Sequence, residues 1–239
     1  MINIKRLLFV FAFLSCFFIS EDGFSQKLNQ FDKNGKRTGV WKKYYPNKRI
    51  RYSGQFENGK EVGVFKFYDI TDSKHPIIIK TFFEDSDSLF VQFYRLNGKI
   101  ETEGVLNGRK RVGNWKYFYP DGTLMSEENY KDGKLEGEQL VYYPDGQVTE
   151  FAVYKDGLLD GVVSKYSSKG TLIEEVTYKK GKPNGLAKYF ELNGNLKETG
   201  HYKDGKRVGK WEFYMDGEIA SDKDRKKNNK FTKKKENKK

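Results

Sequence analysis

Gly113-Asn114-Trp115-Lys116-Tyr117-Phe118-Tyr119-Pro120-Asp121-Gly122, followed shortly by Tyr130-Lys131-Asp132-Gly133-Lys134, is the stretch that decides how this chain is read. It opens with a run dominated by aromatic residues, the composition of a strand, and stops at Pro-Asp-Gly. Proline pre-sets φ for a turn's first central position, aspartate bonds its own backbone, and glycine takes a positive φ without steric cost. Asp132-Gly133 is a second reversal of the same chemistry. Strand, turn, strand and turn together make one β-hairpin.

The pattern returns along the chain. The later glycine of each glycine pair falls at Gly39, Gly63, Gly113, Gly137, Gly161, Gly185 and Gly209, the last five spaced by 24 residues. The interval of 50 between Gly63 and Gly113 has room for one more unit and two inserted residues, so about eight units are expected, one of them degenerate. Residues 69–93, with Ile77-Ile78-Ile79 and Glu84-Asp85-Ser86-Asp87 but no glycine pair, hold that irregular unit. Lys48 stands where the hairpin glycine is expected in Tyr45-Pro46-Asn47-Lys48, and Asn47 is expected to share the left-handed role. The fold class is therefore all-β: an elongated antiparallel sheet or solenoid of tandem hairpins. Its strands, roughly sixteen in number, would extend about 75 Å at ~4.8 Å per strand.

Columns in the repeat name the packing positions. Five residues after each glycine stands a ring, Tyr44, Tyr68, Phe118, Tyr142, Tyr166, Phe190 and Tyr214, which reads as a structural ladder. A second column, Trp41, Phe65, Trp115 and Trp211, precedes it by three residues, with Gln139, Val163 and Ala187 in the middle units. Three is an odd offset for a strand, so either a bulge intervenes or the columns face opposite sides. In the second strand, Ile50, Ile100, Leu124, Val148, Leu172 and Leu196 stand six residues before Phe56, Leu106, Tyr130, Tyr154, Tyr178 and Tyr202. Strict alternation puts both sets on one face, which is expected to be the packed one.

Composition bounds the rest. With 239 residues, 36% hydrophobic and 33% charged, the chain is too polar for a large globular core, and its 16 tyrosines and 19 phenylalanines are too many for a disordered polymer. Neighbouring hairpins must supply the burial that no single unit achieves alone.

The sequence at 113–122 and 130–134 resembles the MORN repeat variant of bacterial YwqK-family antitoxin-like proteins, and the resemblance extends over about residues 31–220. It implies tandem β-hairpins. It also implies a scaffold that joins proteins or brings them to membranes, and the antitoxin label implies neutralising a partner by binding it.

Three segments follow: a signal peptide at 1–25, the repeat domain at 26–220 and a Lys-rich tail at 221–239. Lys5 and Arg6 precede the apolar Leu7 to Ile19, and Gly23-Phe24-Ser25 suits cleavage before Gln26. An uncleaved anchor and lipidation at Cys16 are the alternatives, the latter poorly matched by Phe13-Leu14-Ser15-Cys16. Export places the protein in the periplasm, at the outer membrane or outside the cell. The tail carries ten Lys or Arg against Asp222, Asp224 and Glu236, which is +7 of the chain's net +12. It is expected to be disordered, with Lys226, Lys227, Lys230, Lys233, Lys234 and Lys235 free to meet an anionic surface.

No reaction centre stands out. His75 and His201 lack ligand-spaced partners, Glu127-Glu128 and Glu174-Glu175 recur wherever a strand meets solvent, and Asp85-Ser86-Asp87 lacks the remainder of a calcium loop. The Gly-Lys pairs, such as Gly133-Lys134, are turns and not phosphate loops, because no helix is expected after them, and the repeat returns their lysines to one ribbon edge. The sequence thus predicts a non-enzymatic scaffold of the cell envelope, an elongated monomer without metal or cofactor, that docks a protein or envelope component and not nucleic acid. An antitoxin-like inhibitor and a glycan-binding module, stacking sugars on Trp41, Trp115 and Trp211, are the alternatives.

Overall fold

A computed structural model of the protein describes residues 27–84, 86–215 and 217–221. The leader, Cys16, Asp85 and the lysines from 226 to 235 lie outside the described residues. Fifteen long strands run from β2 to β16, with a two-residue strand at either end, β1 (Gln30–Phe31) and β17 (Glu218–Ile219). The first units contain β2 (Arg37–Tyr44), β3 (Ile50–Glu57), β4 (Lys60–Tyr68), β5 (Pro76–Phe82), β6 (Ser88–Tyr94) and β7 (Ile100–Asn107). Then follow β8 (Lys110–Phe118), β9 (Leu124–Lys131), β10 (Lys134–Tyr142), β11 (Val148–Lys155) and β12 (Leu158–Tyr166). The last are β13 (Leu172–Lys179), β14 (Lys182–Phe190), β15 (Leu196–Lys203) and β16 (Lys206–Met215). Each strand pairs antiparallel with its sequence neighbours, giving an elongated solenoid of hairpins and not a barrel.

Two turn types alternate between the edges. On one edge Asn58, Asp132, Asp156, Lys180 and Asp204 take φ of 50–53° and the following glycines 78–84°, the two left-handed residues of a type I′ turn. Gly39, Gly63, Gly137, Gly161, Gly185 and Gly209 stand four residues after their partner glycines, but Gly113 stands five after Gly108, and there the positive φ falls on Gly108 and not on Arg109. On the other edge Gly122 N–H donates to Tyr119 O at 2.9 Å and Tyr119 N–H to Thr123 O at 2.8 Å, a type I turn closed by a glycine bulge. Lys48 itself takes φ 66° in its turn, so it, rather than Asn47, fills the left-handed position.

The packed face differs from the one that strict alternation indicates. Tyr117 pairs with Ser126 but Phe118 with Leu124, so Met125 is an extra residue in β9. Arg51, Ile77, Glu101, Thr149, Ile173 and Lys197 are extra in the same way. One inserted residue reverses the side-chain parity of all that follows. Ile50, Leu124 and their equivalents therefore share a face with the Tyr44 column. Phe56, Tyr130 and theirs lie on the opposite face with Trp41, Phe65 and Trp115. A second irregularity, at Gly63, Gly113, Gly137, Gly161, Gly185 and Gly209, inserts two residues and so preserves parity while bending the strand. These glycines, like Gly39, all have positive φ.

The core is one row running across the strands on the inner face. Trp41, Phe65, Val91, Trp115, Ala152, Val163, Val176 and Ala187 are buried along it. Small residues recur along this row: Trp41 pairs with Gly54, Val91 with Gly104, Val163 with Ala152 and Ala187 with Gly200. A methyl group on Gly54, Gly104 or Gly200 would fall within 3.0 Å of the Phe65, Trp115 or Trp211 ring respectively. Each ring thus lies on the bare backbone of the preceding strand. Trp115 Nε1 donates back to Val105 O at 3.1 Å, and Trp41 Nε1 donates to Gln30 O at 3.2 Å. β1 accordingly serves as an N-terminal lid, with Phe31 edge-on to Trp41 at 5.1 Å.

Two substitutions check this packing. Gly104→Ala should lower the unfolding free energy by about 1–3 kcal/mol through overpacking against Trp115, measured by urea denaturation. Lys48→Gly should raise it by about 1 kcal/mol by removing a left-handed Cβ.

Candidate functional site

The outer face carries the half-buried ring column. The ring column that the sequence marks as a ladder lies here: Tyr44 pairs with Ile50, Tyr68 with Pro76, Phe118 with Leu124, and Tyr142 with Val148. Tyr166 with Leu172, Phe190 with Leu196 and Tyr214 with Ile219 continue it, and Tyr94 with Ile100 carries it through the irregular unit. Ring and aliphatic side chain alternate on successive strands. The ladder is only half-buried, and Tyr44 at its N-terminal end is 54% exposed. It contributes less to the core than its regularity in the sequence indicates, because among the described residues no second layer covers it.

The turn beside the ladder holds consecutive units together. Tyr45 OH donates to Tyr68 O at 2.9 Å, Tyr119 OH to Tyr142 O at 2.7 Å and Tyr143 OH to Tyr166 O at 3.0 Å. In the unit where arginine replaces this tyrosine, Arg95 reaches Phe118 O at 3.3 Å. The opposite edge is stitched by backbone, as Gly133 N–H donates to Arg111 O and Gly157 N–H to Leu135 O, 22 residues earlier in each case. Lys110 and Lys134 lay their stems against Gly133 and Gly157 of the next turn. The Gly-Lys lysines therefore do line one edge, as their spacing indicates.

Between the edges the outer face has an ionic lane, with Lys116 beside Glu127 at 3.5 Å and Lys188 beside Glu175 at 3.4 Å. Beyond it Val64, Val162 and Leu186 are exposed. Asn114, Glu138 and Lys210 hold the equivalent positions in other units, so the continuous apolar ladder runs beside a charged lane whose far side is apolar only in places.

The adjacent carboxylates do not form acid–base pairs. Successive strand residues point to opposite faces: Glu127 meets Lys116 outside, whereas Glu128 accepts from Gln139 at 3.0 Å and Tyr130 at 2.6 Å inside. Glu174 and Glu175 divide likewise between Lys165 and Lys188. His201 is exposed on β15 and His75 is exposed with its ring against Gly98. Among the described residues no three His, Cys, Asp or Glu side chains gather as metal ligands.

Glu128 belongs to an inner network that pattern reading missed. Arg111 lies over the Trp115 ring at 4.8 Å and donates to Tyr117 at 2.9 Å and Tyr130 at 3.2 Å. Burial, then the bond with Tyr130 and the Glu128 charge, raises the Tyr117 phenol far above its ordinary range. The signal for it was polar Gln139 in an otherwise apolar column. Trp41 and Trp115 are buried, and only Trp211 of the three indoles is half-exposed, so two of the three rings of a sugar-stacking surface are core residues.

The MORN repeat variant model matches residues 37–58, 111–132, 135–156, 159–180 and 183–204. Each match starts within or beside the first strand of a unit and ends in its tight turn. This is a MORN-repeat-like tandem-repeat protein. The repeat protein departs from the model between 59 and 110, where β5 and β6 form the irregular unit. No curated protein matches the chain. Among solved structures, a mutant of S. aureus TarM in complex with fondaparinux, alpha-GlcNAc-glycerol and UDP is 17% identical over 40% of this chain and 19% of that one, with a TM-score of 0.28. A further crystal structure of TarM is 11% identical over 64% of this chain and 20% of that one, with a TM-score of 0.17. The repeat protein thus spans about a fifth of that protein's length.

The ladder also sets an alkaline limit. Burial first, and then the bond to Glu127, push the Tyr142 phenol up to about 12. A folded-state pKa above the unfolded value near 10 adds stability that is present below pH ~10 and is lost as pH rises toward ~12. Denaturation midpoints measured across that window should fall, and less steeply in Tyr142→Phe. Tyr143→Phe should cost about 1 kcal/mol at neutral pH, the value of one lost hydrogen bond between units.

Proposed function

We propose that the protein is a non-catalytic scaffold of the bacterial cell envelope, which uses its outer face to dock an extended segment of a partner protein. The observation that carries this reading is the ring-and-aliphatic ladder, repeated on every pair of strands from Tyr44 to Ile219 and left half-exposed. An enzyme concentrates its chemistry at one place. This surface repeats its chemistry about every 10 Å, two strand spacings, and suits a partner whose contacts are themselves spread out. An apolar ladder beside ion pairs offers both burial and register. The charged, apolar and polar organisation of residues 1–25 supports export, and hence an envelope partner.

A photo-crosslinking residue at Tyr166, on the outer face, should capture a defined partner from envelope fractions, while the same probe at the inner-face Tyr154 should not. Val162→Asp with Leu186→Asp should reduce capture about tenfold, equivalent to about 1.4 kcal/mol, with the circular dichroism spectrum unchanged. Equal capture from both faces, or none from either, would overturn the assignment.

A further inference from the structure

The irregular unit opens a cleft of about 1080 Å³ along the tight-turn edge. Its walls come from the end of β3, the start of β4 and the loop joining β5 to β6. Val62, Phe82 and Phe83 give it an apolar side, and Phe83 is 45% exposed. Glu57, Glu61, Glu84 and Asp87 give it an acidic rim against the one lysine there, Lys60. Glu61 is engaged by Lys80 at 3.7 Å, but no ion pair is made by Glu57, Glu84 or Asp87 among the described residues. Elsewhere on this edge lysines dominate, as at Lys110, Lys134, Lys182 and Lys206.

An occupant of this cleft needs several positive charges around an apolar group. The chain contains such a sequence. In Lys226-Lys227-Asn228-Asn229-Lys230-Phe231-Thr232-Lys233-Lys234-Lys235, six lysines surround Phe231, the only ring after residue 221. Distance decides which copy supplies it. β6 lies ten strands from β16, about 48 Å at ~4.8 Å per strand. Phe231 is ten residues beyond Ser221, which spans at most ~34 Å of fully extended chain. The segment therefore falls short of its own cleft and meets that of a neighbour.

We propose that the cleft of one molecule binds the Lys-rich segment around Phe231 of a second copy, so that the protein self-associates tail-to-cleft in place of the monomer expected from sequence. Acidic rim meets lysine, and Phe231 packs against Phe83. The contact is heterologous, joining different surfaces on the two copies, so it either closes reciprocally as a dimer or propagates as a chain. It does not depend on the identity of any partner on the outer face.

Sedimentation of the protein with residues 221–239 intact tests this. At about 50 mM salt the mass should rise with concentration, and at about 0.5 M salt, where charge is strongly screened, it should return to that of a monomer. Glu57→Lys/Glu84→Lys/Asp87→Lys should require at least about tenfold more protein to associate. The matched control Glu138→Lys/Glu191→Lys/Glu218→Lys, with the same change in net charge away from the cleft, should behave as the unaltered protein. A monomer under all conditions overturns the proposal, and so does equal loss in the control, which would show diffuse attraction. A labelled peptide of residues 223–239 added to the unaltered protein gives a test that leaves the cleft intact. Anisotropy should report saturable binding that weakens about fivefold or more with Phe231→Ala in the peptide. Equal binding of the two peptides would also overturn it.

Discussion

The structure depends on a ring resting on a glycine. Phe65, Trp115 and Trp211 each lie on the backbone of the strand before them, at Gly54, Gly104 and Gly200, where a single methyl group would not fit. A single-layer ribbon has no second sheet against which to bury side chains, and at this length it needs an alternative source of apolar contact. At these places a large residue set on a bare one finds its cover within one layer, and Phe65 and Trp115 are almost wholly buried by it. Where the ring is lost in the middle units, valine against alanine takes its place, as at Val163 with Ala152 and Val176 with Ala187. The same units include the polar pair Glu128 and Gln139, which Arg111, Tyr117 and Tyr130 join into a hydrogen-bonded cluster.

Much of this was legible in the residues, and the exceptions have a common cause. The period of 24, the antiparallel hairpins and the irregular unit at 69–93 all follow from glycine spacing and turn chemistry, which are local properties. Which residues face inward is not local. It hinges on one unpaired residue per hairpin, such as Arg51 or Met125, and neither differs in character from its neighbours. Without that residue in the count, Ile50 and Phe56 fall on one face; with it, they fall on two. The odd spacing of Trp41 and Tyr44 already contained the answer, since those two do face opposite sides. The cleft near Phe83 was beyond sequence reading for a different reason, because it exists only where the regular pattern is interrupted.

The bonds between units explain why so polar a chain remains ordered. At one edge a tyrosine hydroxyl reaches a carbonyl 23 residues ahead, and at the other a glycine N–H reaches a carbonyl 22 residues behind. Each hairpin is tied to both neighbours, so local loosening at one end is opposed by the next unit. The inner row is largely buried by its own repeats, while the outer ladder keeps its rings only half-covered and available for association.

The lean of each ring toward the preceding strand makes the ribbon directional. Phe65, Trp115 and Trp211 each come to a glycine seat on a strand that precedes them, whereas the first ring, Trp41, needs the special lid provided by Gln30 and Phe31. Assembly is thus matched to the order in which a polypeptide emerges, amino end first: material arriving later finds a finished template, and a product cut short at its carboxyl end still has every ring seated.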